Sequence, residues 1–143
     1  MSLDESRLTR DYLYGRLLAV ADNLEELALR VAREERETNA ARLMQRFADH
    51  PYTTWRTLEL QLRPYIARLR SSRFAGALVI RQRLLDSLPS AFPAMADGAS
   101  SFTDNSRLSG EFLLGYHSQR EALRPKKMEA AAAEERSEGE TCE

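Results

Sequence analysis

Cysteine is almost missing from this chain: Cys142, one residue from the end, is the only one. A single thiol can build neither an intrachain disulfide framework nor a cysteine metal site. Long apolar runs are missing too, and no stretch of eighteen apolar residues occurs that would read as a membrane-spanning helix. The opening Met1-Ser2-Leu3-Asp4-Glu5-Ser6 has no basic region leading into an apolar one, so it does not read as a secretory signal. A cytoplasmic, soluble protein is expected. The six glycines are scattered and form no phosphate-cradling loop. There are two histidines, His50 and His117, and neither has a metal-ligand partner three or four positions away. No Gly-x-Ser-x-Gly elbow and no carboxylate pair framed by apolar residues appears. The acidic residues cluster toward the ends, where a solvated face is the default reading. The sequence therefore nominates no catalytic residue, no metal site and no cofactor, and the chain is read as a non-enzyme.

What is present is charge, and it is segregated. The formal net charge of the 143 residues is −1. Residues 1–35 hold five Arg against eight acidic groups. Residues 36–85 hold ten Arg against Glu37, Asp49 and Glu59 alone, and residues 86–143 six basic against eleven acidic groups. Of the 21 basic residues all but Lys126 and Lys127 are Arg. Arginine keeps its charge, binds phosphate through two donors and stacks on bases, which suits a nucleic-acid partner. A GC-rich genome, whose codons favour Arg, accounts for the preference over Lys equally well. The segregation itself is harder to dismiss.

Apolar spacing reads as helix throughout, since β-branched residues are few and no strand-like alternation competes. Ser2 and Glu5 have the spacing of a capping box. From there Leu8, Tyr12, Leu17, Val20, Leu24, Leu27 and Val31 keep close to one stripe of a first helix. Gly15 interrupts that helix at a cost of about 1 kcal/mol. A second helix is predicted over Ala40 to Asp49, with Leu43, Met44 and Phe47 inward. A third runs from about Pro51 to Arg70 on Trp55, Leu58, Leu62, Tyr65, Ile66 and Leu69, and Pro64 should kink or divide it near Arg63. A fourth covers about Phe74 to Leu88. Residues 89–102 read as a loop pinned by Phe92 and Phe102. The fifth helix is predicted from Thr103 or Asp104, with Leu108, Phe112, Leu113, Tyr116 and Leu123 on its apolar face. The expected fold is all-α: a four- to five-helix bundle over residues 1–123, followed by a flexible, charged, Ala/Glu-rich tail over 124–143.

The basic segment supplies the candidate site. Arg42 and Arg46 are four apart, and Arg56, Arg63 and Arg70 recur every seven residues along one side of the third helix. Arg68 and Arg73 extend that edge, and Arg81 joins it from the next helix, with Arg83 on the opposite side. This is a track rather than a pocket, and tracks suit repeated backbone phosphates more than a base sequence. A solvated face whose arginine stems cover apolar surface is the competing explanation. Among the aromatics, Tyr12, Tyr14, Tyr52, Trp55, Tyr65 and Tyr116 fall mostly on core positions, leaving at most one or two as platforms for stacking.

Two stretches carry a family resemblance. Tyr12-Leu13-Tyr14-Gly15-Arg16-Leu17-Leu18-Ala19-Val20 is similar to the Y-L-x-G-R-L-L-A-V helix in the C-terminal region of the large-subunit family of type I-C CRISPR Cascade complexes. Phe112-Leu113-Leu114-Gly115-Tyr116-His117-Ser118-Gln119-Arg120 resembles the F-x-L-G-Y-x-x-Q-R helix near that family's end, and Phe92-Pro93 ahead of it also fits. Where the family has Tyr and then His before Gln, this chain has His117-Ser118. The resemblance spans about residues 7–123. It implies a small subunit of the kind made separately from an internal translation start. Such a subunit would be a helical bundle present in two copies beside the backbone and large subunits. It would touch the crRNA–target DNA hybrid and the displaced non-target strand, and it would involve no membrane. The expected role is non-catalytic stabilisation of the R-loop, without sequence specificity, through Arg42, Arg46, Arg56, Arg63, Arg68, Arg70, Arg73 and Arg81. The main alternative is a structural spacer that bridges subunits without touching DNA. An independent basic regulator is a third reading, although no helix-turn-helix spacing stands out.

Overall fold

The computed structural model describes residues 2–124, and the tail expected over 124–143 lies, apart from Arg124, outside the described residues. Among these residues there are six α-helices: α1 (Arg10–Ala32), α2 (Asn39–Arg42), α3 (Met44–Asp49), α4 (Pro51–Arg70), α5 (Ala75–Ser87) and α6 (Glu111–Leu123). Two 3₁₀ turns, Pro89–Ala91 and Ser101–Thr103, shape the long connection before α6. The all-α bundle expected from the apolar spacing is the observed class.

The first helix is the axis of the molecule rather than an amphipathic wall. Every residue from Tyr12 to Asp22 is buried, so no stripe remains, and Leu8, expected inside, is 48% exposed ahead of the helix. A helix apolar on all sides must be surrounded. Here α6, α4 and α5 all pack on it, α6 most extensively. Gly15 and Gly115 explain that closeness. A Cβ on Gly15 would collide with the Phe112 carbonyl, and one on Gly115 with the Tyr12 carbonyl. The glycine that weakens α1 as an isolated helix is thus what lets two backbones touch. Both stretches that carry the family resemblance meet at this crossing.

The other boundaries have local causes. The Ser2–Glu5 capping box does not form; Asp4 instead accepts from the Ser6 amide and hydroxyl in a tight turn. The predicted second helix is two short ones that meet at Leu43. Pro64 does not divide α4. The carbonyl it leaves without an amide belongs to Leu60, and both residues are exposed, so the carbonyl is not buried without a partner and the break costs less. The last helix starts at Glu111 and not near Thr103. Arg10 Nη1 already holds the Asp104 and Ser106 carbonyls at 3.0 Å, and the Leu108 amide donates to Ala48 at 2.8 Å, so that segment cannot close helical turns.

The loop is fastened as expected by Phe92 and Phe102, which join Tyr14 in an aromatic cluster; the Tyr14–Phe92 ring centroids lie 4.8 Å apart. The Tyr14 hydroxyl donates to the Phe102 carbonyl. From the same loop, Asn105 Oδ1 accepts from the Tyr52 and Thr53 amides at 3.0 and 3.2 Å, capping α4 from 53 residues away.

Candidate nucleic-acid interface

Helix α4 lays Trp55, Leu58, Leu62 and Leu69 into the core and turns the rest of its circumference outward. Arg56, Arg63 and Arg70 are all exposed on it. Because the helix is continuous, their seven-residue spacing keeps them on one stripe, about 21 Å from first to last at 1.5 Å per residue. Arg56 Nη1 donates to the Tyr52 hydroxyl at 3.0 Å and its guanidinium lies over that ring. Arg63 and Arg70 have no hydrogen bond, ion pair or ring contact among the described residues.

The remaining predicted arginines are placed less uniformly. Arg42 and Arg46 are exposed but straddle the break at Leu43; Arg42 donates to Asn39 Oδ1 at 2.6 Å and the Arg46 guanidinium has no partner among the described residues. Arg68 follows Arg63 by five residues, so it sits about 140° around the helix from the stripe. It reaches the Ala28 carbonyl at 3.4 Å beside Tyr65, whose other neighbour is Arg36. Arg73, past the end of α4, lies over Phe74 with 4.6 Å to the ring centroid. Arg81 is a correction. It is 7% exposed, and its guanidinium donates to Asn23 Oδ1 (2.5 Å), Ala77 O (2.9 Å) and Leu123 O (3.2 Å). Ala77 is one turn back on the same helix, but Asn23 and Leu123 come from α1 and α6, 58 and 42 residues away, and together they withdraw Arg81 from the surface.

The electrostatic accounting sharpens the track. Of the ten arginines between residues 36 and 85, Arg36 alone forms an ion pair among the described residues, and it does so with Glu25 and Glu34 from outside that segment. Asp49, one of only three local acids, is taken by Arg107 at 3.4 Å. The excess positive charge inferred from the sequence is therefore not neutralised by the fold. Two tyrosines at its margin, Tyr52 and Tyr65, each have a guanidinium beside the ring, so arginine occupies the positions a base would use for stacking.

Elsewhere the fold buries acidic residues for which a solvated face is the default expectation. Asp22 and Glu25 are each 2% exposed. Asp22 accepts from the Thr38 hydroxyl, from the Tyr116 hydroxyl at 2.7 Å and from Arg120, which also reaches Glu26 at 2.7 Å. Glu25 accepts from the Asn39 amide at 2.9 Å and from Arg36 at 2.7 Å, so it caps α2. Burial and the adjacent Asp22 carboxylate hold the Tyr116 hydroxyl well above the ordinary phenol range. Available signals were the Thr38-Asn39 cap and the four-residue step from Tyr116 to Arg120. Neither identifies the helix they contact. His117 is exposed, beside Tyr116, and takes no part in the network.

The arrangement can hold a flexible polyanion against α4 through unpaired guanidinium groups, and little in it would read bases. In comparison with known proteins, the family model for CRISPR-associated protein (Cas_Csd1) matches residues 1–124. No curated protein matches the chain.

Proposed function

The chain belongs to the CRISPR-associated Cas_Csd1 family, and from that membership we propose that it is the non-catalytic small subunit of a type I-C RNA-guided surveillance complex. Its work is to stabilise the R-loop by contacts to DNA-strand phosphates while bridging neighbouring subunits. An R-loop is a nearly balanced exchange of one duplex for another, so modest protein–backbone contacts tip it. The observation that carries this reading is the absence of ion pairs, among the described residues, at every arginine of the 36–85 segment except Arg36. Within the track, the strongest candidates are Arg46, Arg63 and Arg70, with Arg42, Arg56, Arg68 and Arg73 at its margins. The partners implied are the backbone and large subunits, a second copy of this chain and the displaced or target strand, all in the cytoplasm.

One observation favours the spacer reading: Val79, Ile80, Leu113 and Leu114 are 39–55% exposed, as apolar surface awaiting neighbours would be. The decisive experiment is R-loop formation by the assembled complex, with and without this chain, across a salt series. Weakened R-loops on an intact crRNA–protein filament support strand stabilisation. A filament that falls apart makes the chain an architectural spacer. Neutralising Arg63 and Arg70 together should reduce the salt slope for single-stranded DNA by roughly 0.7 per lost phosphate contact. An unchanged slope removes them from the interface.

A further inference from the structure

Among the described residues two arginines are buried, and the fold supplies acceptors to every guanidinium nitrogen of only one of them. Every nitrogen of the Arg81 guanidinium has an acceptor. Arg16 is more deeply buried, at 5% exposure, yet only its Nε is engaged, donating to Gln119 Oε1 at 2.8 Å. Its four terminal N–H groups meet no acceptor among the described residues. Burial pushes the Arg16 pKa down, and the Glu5 carboxylate opposes that without forming an ion pair. The side chain as a whole is buried, but its terminal nitrogens are not sealed off, so a ligand can still reach them.

Arg16 lines a cavity of about 300 Å³ that opens between α1, α5 and α6. Its walls include Ile80, Leu84 and Leu123, with Arg83 and Glu5 also on the lining. Ile80 is 55% exposed and its neighbour Val79 46%, so the mouth is apolar as well as cationic. We propose that this cavity receives the carboxylate of an Asp or Glu from a protein partner, inserted on an apolar segment that covers Ile80. A carboxylate matches the two free Nη groups as a bidentate acceptor. A nucleic-acid backbone would bring a run of charges to a mouth where Glu5 offsets Arg83 and the other walls are largely apolar. A single acidic residue brings one charge and buries the rest. None of the candidate track arginines lines this cavity, and Arg83, which does, is not among the predicted contacts, so the pocket chemistry can be tested apart from the R-loop reading. Only the identity of the partner rests on the proposed complex.

The test begins with the full chain alone, titrated with hexanoate, hexanol and inorganic phosphate while NMR follows the Arg16 Nε–H and the Ile80, Leu84 and Leu123 methyl groups. Hexanoate should saturate these shifts and bind about tenfold or more tighter than hexanol, the difference expected of a charge-assisted hydrogen bond. Arg16→Met should abolish the preference. Equal binding of hexanol, no saturable shift, or displacement of hexanoate by phosphate or by an oligothymidylate overturns the assignment. Because Arg16 is buried, a second variant is needed: Ile80→Asp, at the exposed mouth, leaves Arg16 in place and offers it a competing carboxylate. That variant should lose hexanoate binding and also lose co-purifying complex subunits, with its single-stranded DNA salt slope unchanged. Retained subunits overturn the docking role, and a reduced slope would place the pocket on the nucleic-acid path instead.

Discussion

The contact between α1 and α6 and the outward face of α4 are built from similar residue types and behave as opposites. At the α1–α6 contact the buried carboxylate has every partner it needs: Asp22 is shared by Thr38, Tyr116 and Arg120, and the backbones touch at Gly15 and Gly115. On α4 the guanidinium groups of Arg63 and Arg70 have no partner among the described residues, although Glu59 stands one turn from Arg63. The contrast teaches that charge in this protein is not uniformly decorative. Where Asp22 and Glu25 are buried they tie one element to another; on the exposed face of α4 the charge is mostly positive and left without ion pairs. A fold gains little from unpaired surface cations, so their concentration on α4 is the feature on which the proposed contact to DNA phosphates rests.

The sharpest way to break the comparison is to force the tight side apart. Gly115→Ala places a methyl group against the Tyr12 backbone and should cost about 3 kcal/mol in chemical denaturation, since backbone cannot swing aside as a side chain can. Gly76→Ala on α5, with nothing within 4 Å of the added atom, is the control and should instead gain about 0.5 kcal/mol. Equal effects at the two sites would mean that the helices are not held at their glycines.

A smaller effect tests the buried network through pH. The Tyr116 and Tyr14 hydroxyls are held above the phenol value, chiefly by burial. An unfolded chain releases such protons near pH 10 while the folded one keeps them. The contribution is therefore complete below about pH 10 and declines as pH rises beyond it. Denaturation midpoints should hold steady from about pH 7 to 9 and fall above about 10. Tyr116→Phe should cost about 2 kcal/mol at neutral pH, the value of a hydrogen bond to a charged group, and should make the alkaline fall shallower. A fall of undiminished steepness in that variant would assign the effect to Tyr14 or to groups outside the network.

The smallest effect belongs to the loose side. Arg63→Ala should leave folding stability unchanged to within about 0.5 kcal/mol, as exposed residues without partners do. A loss above about 1 kcal/mol would show that the stem of Arg63 covers apolar surface and that α4 is less idle than its missing ion pairs suggest.

Much of the fold could be read from apolar spacing. The third predicted helix coincides with α4 at both ends, and the fourth is within one residue of α5. Thr103 and Asp104 are good caps in isolation and predict too early a start for the last helix, because Arg10, more than ninety residues away, holds the carbonyls that such a helix would need. The candidate site was legible as a charge excess and as a seven-residue rhythm. By charge Arg81 is indistinguishable from its neighbours, yet it is interior.

By itself the sequence determined the helical class, most helix spans, the concentration of arginine on the middle of the chain and the two stretches that meet at the glycine crossing. These are local properties, set by residues within a turn or two of one another. Only the tertiary structure decided that α1 is central, that Asp22 and Glu25 are buried, that Arg81 is satisfied and that Arg16 is not. Each of those depends on which helix crosses which and on where a donor finds its acceptor. The pairings join α1 to residues as distant as Arg120, and no periodicity along the chain encodes a partner that far away.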